Sequence, residues 1–302
     1  MLVLQNLISV ARSLDIRRFR VKPSGRFSLA GFDPTDTAPF DAREGTRKTL
    51  AKRVHRLFEL GDLLYAQNRW SVLFIFQAMD GAGKDSAIKH VLRGLDPKAT
   101  QVFSFKVPSQ EELKHDFMWR CLKSLPERGR IGIFNRSYYE EVLVSRVHPE
   151  LLEQRQLPAR CVTPQIWRER FEDIRDIERY LTRNGTVIRK IFLNVSKAEQ
   201  RRRFLMRLHN PEKRWKFSIN DVNERLRWKE YMAAYEEAMR ATSTDEAPWY
   251  VVPADNKWFT RLAVAAIAIE TLESLKLKVP TLSHKDTRAL NHARRRLRFK
   301  QK

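Results

Sequence analysis

Residues 74 to 92, FIFQAMDGAGKDSAIKHVL, leave this chain few ways to fold. An apolar run ends in a glycine turn, the turn ends in Gly83-Lys84, and a segment with helical patterning follows. A strand, a tight turn and a helix in that order point several backbone N–H groups and a helix N-terminus at one spot. That arrangement builds an anion cradle, and a lysine at its mouth suits phosphate.

The match to G-x-x-x-x-G-K-[ST] is inexact. Ala78 stands at the first position and Asp85 follows the lysine, with Ser86 next. Asp80 also lies inside the turn. Carboxylates beside a phosphate repel it unless a cation lies between them. Asp80, and less directly Asp85, therefore point to Mg²⁺, with Mn²⁺ as a substitute. Asp85 also sits where an acidic group complements the helix dipole. Gly81, Ala82, Gly83, Lys84 and Asp85 are the expected phosphate-binding turn.

A second candidate is IGIFNRSYYEEVLVSRV, residues 131 to 147. An apolar strand delivers Asn135 and Arg136 at its C-terminal end, where parallel α/β sheets bind ligands. Asn135 keeps an oxygen but lacks the charge of the usual strand-end aspartate, which leaves more of the metal's charge to Asp80. Arg136 carries a planar fork suited to phosphate. Glu140 and Glu141 follow, and one of them, with Glu140 the candidate, is expected to face nucleotide or metal. A third candidate is basic. Arg203 and Arg207 share a helix face, and Lys213, Arg214 and Lys216 surround Trp215. A basic flap of this kind excludes water and stabilises charge. Lys106, after the strand QVFSF, extends the phosphate path.

Elsewhere the patterning alternates strand and helix. Helices are expected over 43–69, 84–93, 109–125, 163–185, 196–210, 218–242 and 259–276. Strands are expected over 71–77, 101–105, 130–134, 186–195 and 249–253. Ser109 and Glu112 form a capping-box pair. This alternation predicts an α/β protein: a three-layer α/β/α domain of the P-loop kinase kind, with a central parallel sheet and a helical lid at about 201–225. The expected organisation is an irregular N-terminal arm at 1–42, opening with an amphipathic extension, then a phosphotransferase domain at 43–280 and a basic tail at 281–302.

Composition narrows the partners. The 58 Lys and Arg against 36 Asp and Glu give a net charge of +22, which favours polyanions without choosing among them. Cys121 and Cys161 are too few and too far apart for a disulfide framework or a zinc site, and fit a reducing cytoplasm. No apolar run reaches the roughly 20 residues that span a bilayer. The tail ends in ARRRLRFKQK and holds eight Lys and Arg against one Asp, as in a solvated, mobile end. Recruitment of a polyanion and simple solubility are both open roles for it.

The chain resembles the family-2 polyphosphate kinases. The resemblance rests on QAMDGAGKDSAIKHVL (77–92), FSFKVPSQEEL (103–113), ERGRIGIFNRSYYEEVLVSRVHPELL (127–152), RRRFLMRLHNPEKRWKFSINDVNER (201–225) and APWYVVPADNKWFTRLAVA (247–265). Together these span most of residues 45 to 276. The resemblance implies reversible transfer of the terminal phosphate of inorganic polyphosphate to a nucleotide with Mg²⁺. It places the metal and acceptor phosphate on Asp80, and phosphate binding on Lys84, Arg136, Arg203 and Arg207. Many members have Asp-Arg where this chain has Asn135-Arg136. The Asn-Arg form resembles the subgroup that accepts both nucleoside mono- and diphosphates. The resemblance also implies a homo-oligomer, dimer or tetramer. Two other readings stay open on the residues alone: an ATP-dependent nucleoside monophosphate kinase, and a non-catalytic nucleic-acid-binding protein. The second leaves Asp80 and Asp85 in the turn unexplained.

Overall fold

In the computed structural model the described residues are 14–23, 26–40, 46–92 and 95–298. Along the chain run α1 (Thr46–Gln67), β1 (Ser71–Gln77), α2 (Lys84–Leu92), β2 (Thr100–Ser104), α3 (Trp119–Leu122) and β3 (Ile131–Asn135). Then follow α4 (Glu140–Val147), α5 (Ile166–Arg183), β4 (Thr186–Asn194), α6 (Lys197–His209), α7 (Ile219–Leu226) and α8 (Trp228–Thr242). The chain closes with β5 (Trp249–Pro253), α9 (Lys257–Ser274) and α10 (His284–Arg298).

The five strands form one sheet in the order β2-β3-β1-β4-β5, and every neighbouring pair is parallel. Parallel pairing needs crossovers, and the helices that supply them cover both faces. Helices α1, α2 and α9 pack together on one side, and α4, α5 and α8 on the other. The central strand β1 is buried at all seven positions, which is why SVLFIFQ is apolar without alternation. Burial on both faces also demands buried polar groups with partners. Lys190 Nζ on β4 meets Glu178 Oε2 at 2.5 Å, and Glu178 Oε1 accepts from Tyr138 and Tyr139, each at 2.9 Å. This knot fixes the turn just after Arg136.

Several expectations differ from the structure. The stretch 109–125 is not one helix. The Ser109–Glu112 capping pair does form, with Glu112 N donating to Ser109 Oγ at 3.2 Å and Ser109 N to Glu112 Oε2 at 2.7 Å. It opens only a 3-10 turn over Glu112–Lys114. Asp116 then accepts from the Met118 amide at 2.9 Å, a local bond that competes with helix and delays it to the four residues of α3. The helix expected over 218–242 is two, because Arg227 sits at φ −85° and ψ 20° between α7 and α8. Arg227 Nη1 there donates to the Val147 carbonyl at 2.5 Å, a contact 80 residues away along the chain.

The expected arm contributes to the core. Ile16, Phe19, Val21, Phe27 and Leu29 are buried, and Val21 N donates to the Trp249 carbonyl at 2.9 Å along the open edge of β5. The tail holds a 15-residue helix, α10, and its described residues are exposed, in keeping with the solvated end expected there. Residues 1–13 of the expected amphipathic extension lie outside the described residues, as do the first residues of the 43–69 helix and the last four of the tail.

Candidate active site

Strand β1 delivers the turn 78–83 to the C-terminal edge of the sheet, and α2 leaves from it. Gly81 and Gly83 adopt φ of +83° and +102°, conformations that side chains resist. At Gly81 space is also closed: a Cβ there would lie 2.8 Å from Phe204 Cε1 and 3.2 Å from Gln200 Cγ. The loop is therefore glycine both for its turn and for the close approach of α6. Ala82 is buried beneath it. Lys84 folds back across the loop, and its Nζ donates to the Ala78 carbonyl at 2.7 Å. The side chain is 8% exposed. Burial pushes the Lys84 ammonium below its usual range, the Arg136 charge pushes the same way, and Asp80 opposes.

Strand β3 ends at the next register position. Asn135 Nδ2 donates to Asp85 Oδ1 at 2.7 Å and reaches Ser104 Oγ at 3.4 Å. Arg136 occupies the left-handed region at φ +64°, and its amide donates to the Phe76 carbonyl of β1 at 3.0 Å. A non-glycine residue held there stores about 1 to 3 kcal/mol of strain, a cost that surrounding structure sustains at working sites. The unusual backbone aims the guanidinium inward. Nη2 donates to Asp80 Oδ1 at 2.8 Å and Nη1 to Glu140 Oε2 at 3.2 Å. Burial alone would raise the Asp80 carboxyl, but Lys84, Arg136 and Arg207 together hold it below its usual value. The Glu140 carboxylate outweighs burial at Arg136 and raises that guanidinium further.

Helix α6 forms the third wall. Its N-cap Ser196 accepts from the Glu199 amide at 3.0 Å. Glu199 in turn accepts from Arg203 Nε at 2.7 Å. The Arg203 guanidinium is buried and donates to four backbone carbonyls: Gly81 (3.1 Å), Ala82 (2.6 Å), Ala254 (2.6 Å) and Asp255 (3.0 Å). Arg203 thus ties the glycine turn to the end of β5, in place of the phosphate contact expected of it. One turn on, Arg207 lies over the Phe204 ring at 5.4 Å and its Nη1 reaches Asp221 Oδ2 at 3.4 Å. The Arg207 charge adds, after Lys84 and Arg136, to the lowering of the Asp80 carboxyl.

Four predicted residues converge: Asp80, Lys84, Arg136 and Glu140, with Asn135 and Asp85 at their flank and Arg207 opposite. Lys106, Lys213 and Lys216 do not join them. All three are exposed, and among the described residues no hydrogen bond or ion pair links their side chains to the cluster. Lys213 and Lys216 lie in a 3-10 segment, Pro211–Lys216, with Lys216 Nζ 4.9 Å from the Trp215 ring.

Three residues of this wall were not singled out from sequence. Asp221 partners Arg207, and burial raises its carboxyl, with Asp80 adding to the rise. Gln200 Nε2 donates to the Asp80 carbonyl at 2.7 Å. Glu199 stands four residues before Arg203, and that spacing was the legible signal for their ion pair.

Among the described residues no group of three or more His, Cys, Asp and Glu side chains could hold a metal ion by itself. The cluster offers two carboxylates, Asp80 and Glu140, each bonded through one oxygen to Arg136. That donor set fits Mg²⁺, which binds through one or two carboxylates and completes its shell with water and substrate phosphates.

The sequence model of the Polyphosphate kinase 2 (PPK2) family matches residues 41–280. The chain belongs to this family. An ADP-polyphosphate phosphotransferase of Rhodopseudomonas palustris is 49% identical over 266 residues, 87% of this chain and 92% of that protein. An AMP/ADP-polyphosphate phosphotransferase of Meiothermus ruber is 44% identical over 266 residues, 88% of this chain and 96% of that protein. The crystal structure of Polyphosphate Kinase 2 from Arthrobacter aurescens superposes with a TM-score of 0.82 at 39% identity. It covers 91% of this chain and 95% of the other. Family, parallel-sheet α/β fold and kinase class agree with the expectations from sequence. Among the described residues no helix is long and apolar enough to cross a membrane.

Proposed function

We propose that this chain moves the terminal phosphate of inorganic polyphosphate, reversibly, to ADP or GDP and also to AMP or GMP. The observation that supports this most is the junction of Asp80, Lys84 and Arg136 at the glycine turn of a chain in this family. The name of the Rhodopseudomonas palustris relative supports a diphosphate acceptor, and that of the Meiothermus ruber relative both a mono- and a diphosphate.

In the forward direction a terminal oxygen of the acceptor attacks the last phosphorus of the polyphosphate. One P–O bond forms, one phosphoanhydride bond breaks, and the chain leaves one phosphate shorter. The bonds made and broken are alike, so catalysis is mainly positioning and charge neutralisation. Asp80 orients the acceptor phosphate. Lys84 and Arg136 neutralise charge on the transferring group, and Arg207 covers it from α6. Arg203 and Gln200 hold the glycine turn in place. Asp80 would hold Mg²⁺ or Mn²⁺, which supplies further neutralisation of the phosphate oxygens. Lys213 and Lys216 serve as the outer part of the basic path, and Lys106 extends it past β2.

Two further points belong to the proposal. The lid comprises about 201–225, and the phosphotransferase domain 43–280. The protein is a homo-oligomer, and exposed Phe58 and Tyr65 on α1 offer a contact surface that light scattering would test.

Product analysis with Mg²⁺, long-chain polyphosphate and either AMP or ADP tests the acceptor range. ATP from ADP, and both ADP and ATP from AMP, are expected. Transfer from ATP to AMP with no use of polyphosphate would instead mark a nucleoside monophosphate kinase.

A further inference from the structure

Helix α10 lies beyond residues 41–280, the part that the family model matches. It contributes no side chain to the core, and every described residue from Lys278 to Leu297 is exposed. Its single acid, Asp286, is engaged at the N-terminus, where Ser283 Oγ donates to Asp286 Oδ2 at 2.6 Å and accepts from the Asp286 amide at 3.1 Å. Lys285, Arg288, Arg294, Arg295 and Arg296 have no acidic partner among the described residues. Lys285, Arg288, His292 and Arg295 recur at helical spacing along one face, and Arg296 adjoins it. Its described apolar residues are only Ala289, Leu290, Ala293 and Leu297, too little apolar surface for a stable helix pair or an interfacial anchor.

Position adds a second constraint. Helix α9 starts beside the site, where Arg203 bonds the Ala254 and Asp255 carbonyls, and runs 18 residues away from it. At 1.5 Å per residue α9 is about 27 Å long, and the tail follows its far end. A long donor held at the site has further phosphates to offer a basic helix outside it, and a short donor has few.

We propose that α10 is a polyphosphate exosite. It binds interior phosphates of long chains and raises the local concentration of their reactive ends at the Asp80–Lys84–Arg136 site. This rests on the polyphosphate reading above. The exosite also couples binding to folding. A solvent-exposed helix of this length is marginal, and Lys285 and Arg288, three residues apart, repel each other. A polyanion relieves that repulsion and favours the helix.

The test compares the full chain with a version ending at Leu282 and with Arg294→Gln/Arg295→Gln/Arg296→Gln. Binding of fluorescent long-chain polyphosphate is measured without nucleotide, and KM with nucleotide for both long-chain polyphosphate and tripolyphosphate. Both variants should show a long-chain KM about fivefold or more above wild type, with tripolyphosphate kinetics unchanged. The triple variant's log–log salt slope for binding should be shallower by about 2 to 3. Far-UV helicity should rise on adding polyphosphate to the full chain and not to the shortened one. Unchanged long-chain binding and KM would overturn the proposal. So would equal changes for both donors, or selective loss of duplex nucleic-acid binding with polyphosphate affinity intact. The binding arm uses no phosphate transfer, so an inactive wild type would strike the functional reading and leave this measurement standing.

Discussion

Arg203 Nη1 donates to the carbonyl of Ala82 at 2.6 Å, although the two residues lie 121 positions apart in the chain. With Nη2 on Ala254 and Asp255, one guanidinium joins the phosphate turn to the end of β5. Arg207, one turn along the same helix, shares neither task. Two arginines that look equivalent in sequence therefore separate by burial and by partner.

Their substitutions should separate as well. Arg203→Ala removes the donor shared by the Gly81, Ala82, Ala254 and Asp255 carbonyls and leaves Glu199 to Arg202 alone, and should destabilise the protein by about 2 to 3 kcal/mol as well as slow transfer. Arg207→Ala should slow transfer with little change in melting. Thermal denaturation beside steady-state rates distinguishes the two. Equal melting points would show that Arg203 does not tie the loop.

Lys84 works against stability. Its ammonium is buried and its pKa lies below the usual 10.5, so above the folded pKa the unfolded state binds more protons. The penalty is fully present below the folded pKa and fades as pH rises toward 10.5. Lys84→Met should therefore melt at or above the wild-type temperature near neutral pH, with that advantage shrinking on alkalinisation. Melting curves across pH check this, and a clear loss of stability in the variant would contradict it.

Asn135 bears on the metal. Its Nδ2 donates to Asp85 Oδ1 at 2.7 Å, so Asn135→Asp replaces a donor with a second carboxylate at contact distance. The variant should lose about 1 kcal/mol without divalent cation. It should regain more on adding Mg²⁺ than wild type does. Calorimetric melting with EDTA and with Mg²⁺ measures the difference.

The Gly81 contact with α6 predicts a compensated pair. Gly81→Ala combines a positive φ with a Cβ 2.8 Å from Phe204 Cε1, and should cost about 1 to 3 kcal/mol. Phe204→Leu in the same chain should return part of that stability by opening space. If the double variant is no more stable than Gly81→Ala, the clash is not the cause.

The order of strand, turn, lysine and helix was legible because each part is local. β1 is buried on both faces and so reads as an unbroken apolar run, and the turn requires glycine at Gly81 and Gly83. The pairing of Asp80 with Arg136 was legible only in outline, since both lie at strand ends that the sheet brings together across 56 residues. What sequence could not supply was the destination of individual side chains. Arg203 and Arg207 differ by four residues and have the same charge, yet only the tertiary path of β5 decides that one meets carbonyls. The break at Arg227 has the same origin, a bond to the Val147 carbonyl that no helical pattern foretells. Asp116 was a missed local signal, because a short side chain that bonds its own backbone interrupts the helix expected over 109–125.

The central claim is that the Asp80–Lys84–Arg136 cluster carries phosphate from polyphosphate to a nucleotide. The most direct test is ATP formation from ADP and polyphosphate, measured for wild type and for folded Arg136→Ala at saturating Mg²⁺. Wild-type ATP should vanish when polyphosphate is omitted, and the variant's rate should fall by about 2 to 4 kcal/mol of transition-state stabilisation. ATP made without polyphosphate, or an Arg136→Ala rate near wild type in a folded protein, would contradict the account.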